Sequence, residues 1–155
     1  MQLIRQGGIV KRIYLVLPLI LALLSGCADN TQSVSFTGVK KAYRQKETGN
    51  FCMKNASSRD IVCHVRLETG AADGAWSEAT GDIQAVDAKD KKNVDRNIKP
   101  GSSLCETWMI ENTVKENKLA LPGKFRLAGY CYKSGEQNDP SKAVRFFSED
   151  FEIKP

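Results

Sequence analysis

Five cysteines and a single histidine carry the sharpest chemistry in this 155-residue chain. Cys27 stands apart from the rest. Leu24-Ser25-Gly26-Cys27 closes an apolar run, and from Ala28 the chain turns polar. Cys52, Cys63, Cys105 and Cys131 remain, an even set without CxxC or zinc-ribbon spacing. In an oxidising compartment such a set predicts two disulfides. His64 has no obvious catalytic company: no G-x-S-x-G elbow accompanies it, and no second histidine completes a zinc site. It falls in the polar phase of a strand and is expected to face solvent, so no metal, no cofactor and no enzymatic role are expected. Carboxylate pairs such as Glu149-Asp150 or Asp87 with Asp90 lack the Asp-x-Asp-x-Asp-Gly spacing of a calcium loop. Asn55-Ala56-Ser57 matches the spacing of a glycosylation acceptor.

The residues before Cys27 form three zones. Arg5, Lys11 and Arg12 give a positive start, Ile13 to Leu24 is apolar apart from Pro18 and Tyr14, and Ser25-Gly26 are small. An apolar helix of that length reaches about 18 Å, against roughly 30 Å of bilayer hydrocarbon, so a secretory signal fits better than a spanning helix. With this lead-in, Leu24-Ser25-Gly26-Cys27 resembles the lipobox of bacterial lipoprotein precursors. The resemblance implies cleavage before Cys27, diacylglycerol on its sulfur and acylation of its new amino group. Several acyl chains, at about 0.8 kcal/mol per buried methylene, give lasting membrane attachment. Ala28 follows the cysteine and Asp29 comes one place later than an inner-membrane retention signal, so the implied address is the outer membrane.

Signal removal also changes the charge. The whole chain has 23 basic and 18 acidic residues, and loss of Arg5, Lys11 and Arg12 leaves 20 against 18. That small excess offers no clustered basic face for nucleic acid. The densest run, "KDKKNVDRNIK" at 89–99, mixes both signs and reads as a solvated loop or edge.

These residues must be positioned by strands. In "DIVCHVRLET" Ile61, Cys63, Val65 and Leu67 alternate with Val62, His64, Arg66 and Glu68. In "KFRLAGYCYK" Phe125, Leu127 and Cys131 share one phase, and Arg126, Ala128, Tyr130 and Tyr132 share the other. "SLCETWMIEN", "AVRFFSEDFEI", "DIQAV" and the region around Phe51 read as further strands, with "TVKENKLAL" as a helical turn. Pro100-Gly101 and Pro122-Gly123 mark turns. The expected fold class is all-β: an antiparallel β-sandwich, immunoglobulin-like or transthyretin-like, of about seven or eight strands. Residues 1–26 are the signal peptide, 27–35 the lipidated cysteine and its tether, and 36–155 one domain. The tether spans roughly 15 Å as a flexible coil.

Two disulfide schemes are open. Hairpins centred between Ser57 and Ser58, and on Lys118, would pair Cys52 with Cys63 and Cys105 with Cys131, and these local pairs are the preferred reading. The rival takes Cys63, Trp76 and Cys131 as resembling the Cys…Trp…Cys spacing of immunoglobulin domains. It implies an inter-sheet Cys63–Cys131 bond and leaves Cys52–Cys105.

Aromatic residues are too many for one strand phase to bury, and with Cys131 inward Tyr130 and Tyr132 are left partly exposed beside Arg126. Tyr and Arg favour interfaces, so these three are the expected partner contacts. The expected function is that of a lipid-anchored, non-catalytic module that binds another envelope protein, with no nucleic acid and no small-molecule ligand. In format it resembles accessory lipoproteins of secretion or pilus machines. The alternative is a periplasmic inhibitor or immunity protein that blocks an enzyme with the Ser134–Pro140 loop, "SGEQNDP".

Overall fold

The computed structural model describes residues 34–86 and 95–155; the stretch read as a signal peptide, with Cys27, lies outside the described residues. The strands are β1 (Val34–Thr37), β2 (Ala42–Arg44), β3 (Thr48–Asn55), β4 (Ile61–Gly70) and β5 (Trp76–Asp82). They continue as β6 (Arg96–Ile98), β7 (Ser103–Met109), β8 (Gly123–Lys133), β9 (Val144–Phe147) and β10 (Phe151–Lys154). Among the described residues one α-helix, α1 (Ile110–Asn117), follows β7 directly. The first strand thus begins inside the stretch read as tether, at Val34.

Alternation decides which face each strand buries. Phe51 and Met53 on β3 and Trp108 on β7 point inward, where they meet Val65, Leu67, Phe125, Leu127, Phe151 and Ile153 from the other sheet. Each such side chain contributes about 1.5–3 kcal/mol by leaving water. The smaller sheet has the order β1-β3-β7, and the larger β2-β10-β8-β4-β5, with β6 also on β4 and β9 also on β8. Together they form the expected all-β sandwich. Among the described strands the pairings are antiparallel except β10 with β2, which is parallel.

The ten described strands outnumber the expected seven or eight: "AVRFFSEDFEI" breaks into β9 and β10, and the short β1, β2 and β6 lie outside the segments read as strands. "DIQAV" supplies only the end of β5 and an isolated bridge from Ala85 to Trp108. The helix starts earlier than "TVKENKLAL", because Ile110 and Val114 are one turn apart and both buried. The mixed-charge run is not wholly solvated. Arg96 is buried in β6, its Nε 2.8 Å from Glu106 and its Nη2 donating to the Ile83 carbonyl at 2.6 Å. Asn55 is fully buried, with its amide donating to the carbonyls of Arg59 and Ile98. The sequon asparagine is therefore a structural part of the turn after β3.

The preferred local disulfides are corrected. The bonds are Cys52–Cys105 and Cys63–Cys131, not Cys52–Cys63 and Cys105–Cys131. The turn after β3 carries the chain from one sheet to the other, so β3 lies beside β7 and β4 beside β8. Each bond joins residues directly opposite on adjacent strands. Neither crosses between the sheets, so the rival scheme names the right partners with the wrong placement for Cys63–Cys131. Trp76 does not cover that bond; it lies on the outer face, with the Arg126 guanidinium 4.3 Å from its ring.

Candidate functional site

Outward positions of the larger sheet carry the densest array of interacting side chains. Register fixes its rows. His64 on β4 lies opposite Tyr130 on β8, which lies opposite Arg145 on β9. Arg66 lies opposite Ala128, and Ala128 opposite Phe147. Glu68 lies opposite Arg126. Ala128 at the centre has almost no side chain of its own, so longer neighbours can close over it.

Those neighbours form a ladder of alternating cations and rings. The Lys124 ammonium lies 5.4 Å from the Trp76 ring, and Arg126 lies 4.3 Å from Trp76 and 3.8 Å from Phe147. Arg145 is 5.3 Å from Phe147 and 5.1 Å from Tyr130, and Arg66 is 5.0 Å from Tyr130. Each exposed contact of this kind is worth about 0.5–1 kcal/mol. Phe147 remains exposed at the middle of the array, and Tyr130 is half-buried.

Carboxylates hold the guanidinium groups in place. Glu68 is buried although it sits in the polar phase of β4. Arg126 Nε and Nη2 donate to its Oε2 at 2.8 and 2.7 Å, and Arg145 Nη2 donates to its Oε1 at 2.7 Å. Charge-assisted bonds to both oxygens offset the desolvation of the anion. Arg66 donates to Glu78 at 2.8 Å and to Asp82 at 3.0 Å. Its guanidinium is held firmly charged, chiefly by the Glu78 hydrogen bond, then against desolvation and with help from Asp82. A register shift between Arg66 and Glu68 brings Asp82 opposite Arg66, and the Thr80 hydroxyl accepts the Leu67 N–H at 3.0 Å within that irregularity.

His64 is not the freely exposed residue that strand phase implied. With 21% of its side chain exposed, its Nδ1 is 3.1 Å from Asp82 and its Nε2 3.3 Å from Asp95, and its ring meets Tyr132 edge-on at 6.0 Å. Both ring nitrogens are engaged by carboxylates. Among the described residues no group of three or more His, Cys, Asp or Glu is placed to hold a metal ion.

The structure thus brings Arg126, Tyr130 and Tyr132 to one face, with Arg126 committed to Glu68 and the two tyrosines half-buried. Sequence reasoning missed Glu68, Trp76, Arg145 and Phe147 as members of that face. Strand phase put Glu68 and Arg126 outward. The missing information was the β4–β8–β9 order that sets them side by side.

No protein-family model and no curated protein matches the chain. Among solved structures it is similar to the SafA pilin of Salmonella enterica in complex with the SafB chaperone, with 10% identity and a TM-score of 0.48. That match covers 79% of this chain and 54% of the other, so the chain spans about half the length of that structure. A Bordetella pertussis protein assigned as ApaA matches with 12% identity and a TM-score of 0.37, over 78% of this chain and 90% of that one. The sporulation control protein Spo0M of Bacillus subtilis matches with 12% identity and a TM-score of 0.34, over 79% and 49%.

Proposed function

We propose that this chain is a non-catalytic, membrane-tethered binding module of the bacterial envelope that docks another envelope protein on the outer face of its larger sheet. The observation that carries this reading is the cation–ring ladder. Arg, Trp and Tyr dominate interface hot spots, and here ion pairs with Glu68, Glu78 and Asp82 fix the arginines before any partner arrives. Ordering side chains in advance reduces the entropy lost on binding. The tether is Cys27, lipidated as its lipobox implies and placed at the outer membrane. A single small sandwich on a short tether fits an accessory component of a secretion or pilus machine.

The inhibitor alternative gains no support from the Ser134–Pro140 loop. Asp139 accepts the Ser141 hydroxyl at 2.6 Å and its N–H at 3.1 Å, and these bonds, the hydroxyl's first, hold its carboxyl below its usual pKa. Glu136 pairs with Lys142 at 3.2 Å. Both acids serve the loop itself.

Two expected results test the proposal. Cys27→Ser abolishes incorporation of a palmitate analogue and leaves precursor or a soluble species; equal labelling would sink the anchor. Tyr130→Ala and Phe147→Ala each weaken capture of the partner by more than about 1 kcal/mol, roughly fivefold in Kd, with little change in melting temperature. His64→Ala leaves capture unchanged. Loss of function in His64→Ala with partner capture and melting temperature both unchanged would instead point to catalysis.

A further inference from the structure

The two disulfides sit in opposite environments. Cys63 and Cys131 are on the inward faces of β4 and β8, 0% and 3% exposed, within the core. Cys52 and Cys105 are in the outward phase of β3 and β7, flanked in sequence by the inward residues Phe51, Met53 and Leu104. Cys105 is exposed and Cys52 half-buried.

The surface around the outer bond is also unusual for this chain. The other outward positions of β1, β3 and β7 are Ser, Thr, Asn and Met, with Lys54 as their single charge. None of these positions carries a carboxylate, in a chain that has 18 acidic residues. Lys54 lies opposite Ser103, which places it diagonally from Cys105, at a typical separation of about 7–8 Å. At the described outward positions of these three strands an approaching thiolate therefore meets one cation and no like charge. Exposure and electropositive surroundings are what make a sulfur open to exchange, and an exposed disulfide is generally the labile one.

We infer that Cys52–Cys105 is a thiol–disulfide exchange site for external dithiols, while Cys63–Cys131 is a permanent staple. A thiolate of the dithiol attacks Cys105 Sγ. A new sulfur–sulfur bond forms as the Cys52–Cys105 bond breaks, and the electron pair leaves on Cys52 Sγ. The second thiolate of the dithiol then attacks its own sulfur in the mixed disulfide, closes a cyclic disulfide and expels Cys105. Two electrons pass to the protein, and the dithiol's two protons end on Cys52 and Cys105. The register between β3 and β7 runs from Thr48 with Met109 to Lys54 with Ser103, so backbone pairing flanks the bond on both sides and keeps the strands together once it opens.

The site is tested on the folded, oxidised mature protein with dithiothreitol as the dithiol, by timed alkylation and peptide mapping without denaturant. Cys52 and Cys105 are expected to become alkylated at least about tenfold faster than Cys63 and Cys131. The half-reduced protein should retain its far-ultraviolet circular dichroism and a cooperative melt. Appearance of all four thiols together, at the rate of global unfolding, would overturn the inference. So would earlier opening of Cys63–Cys131, or loss of the cooperative melt when the outer bond alone is reduced.

Discussion

Trp108→Ala is expected to lower stability by about 3–5 kcal/mol, the range for removing a large aromatic from a core that cannot collapse around the gap. Trp108 is 1% exposed and sits opposite Gly49 in the β3–β7 register, with the Tyr43 ring edge-on at 6.4 Å. Gly49 is part of the same fit, because a Cβ there would fall on the indole ring. Yet the indole N–H has no acceptor among the described residues. A buried donor left unpaired costs about 1–3 kcal/mol, so Trp108→Phe removes that penalty along with some volume and should cost far less than Trp108→Ala. Urea midpoints at constant m-value separate the two variants. Equal losses would show that the indole N–H is satisfied and that its hydrogen bond matters.

Glu68→Ala is the second large effect, about 2–4 kcal/mol. Its carboxylate is the shared counter-ion of Arg126 and Arg145, and removing it leaves the largely covered Arg126 guanidinium without a partner. A fully buried pair broken in this way would cost about 3–5 kcal/mol, but Arg145 is half-exposed and can turn to water, which lowers the figure. Arg126→Ala in the same background should then cost much less than it does alone. A double-mutant cycle gives the coupling; additivity within about 0.5 kcal/mol would show that the clamp contributes nothing as a pair.

Much of this was legible in strand phase. The alternation around Cys63 and Leu67, and around Leu127 and Cys131, placed the inward faces of β4 and β8 correctly. The same phase held the answer to the disulfide pairing. Cys52 alternates with the inward Phe51 and Met53, and Cys105 with the inward Leu104 and Trp108, so both face out, whereas Cys63 and Cys131 face in. A bond between neighbouring strands needs both cysteines on one face, which excludes Cys52–Cys63 and Cys105–Cys131. The preference for hairpins hid that parity, because it assumed that consecutive strands share a sheet. The ladder was less legible. Its members come from β4, β5, β8 and β9, and no local pattern in any one of them states that β9 lies beside β8 or that Trp76 reaches Arg126.

The central claim is that the domain acts by binding on the outer face of its larger sheet, and in-place photo-crosslinking tests it most directly. A photo-reactive phenylalanine replaces Tyr130 in one variant and Thr107, on the outer face of the smaller sheet, in another. Both are introduced into the full chain, expressed in its native cells and irradiated. The account predicts one discrete protein adduct from position 130 and none from position 107. An adduct from position 107 alone, or none from position 130 in cells where the protein functions, would contradict it.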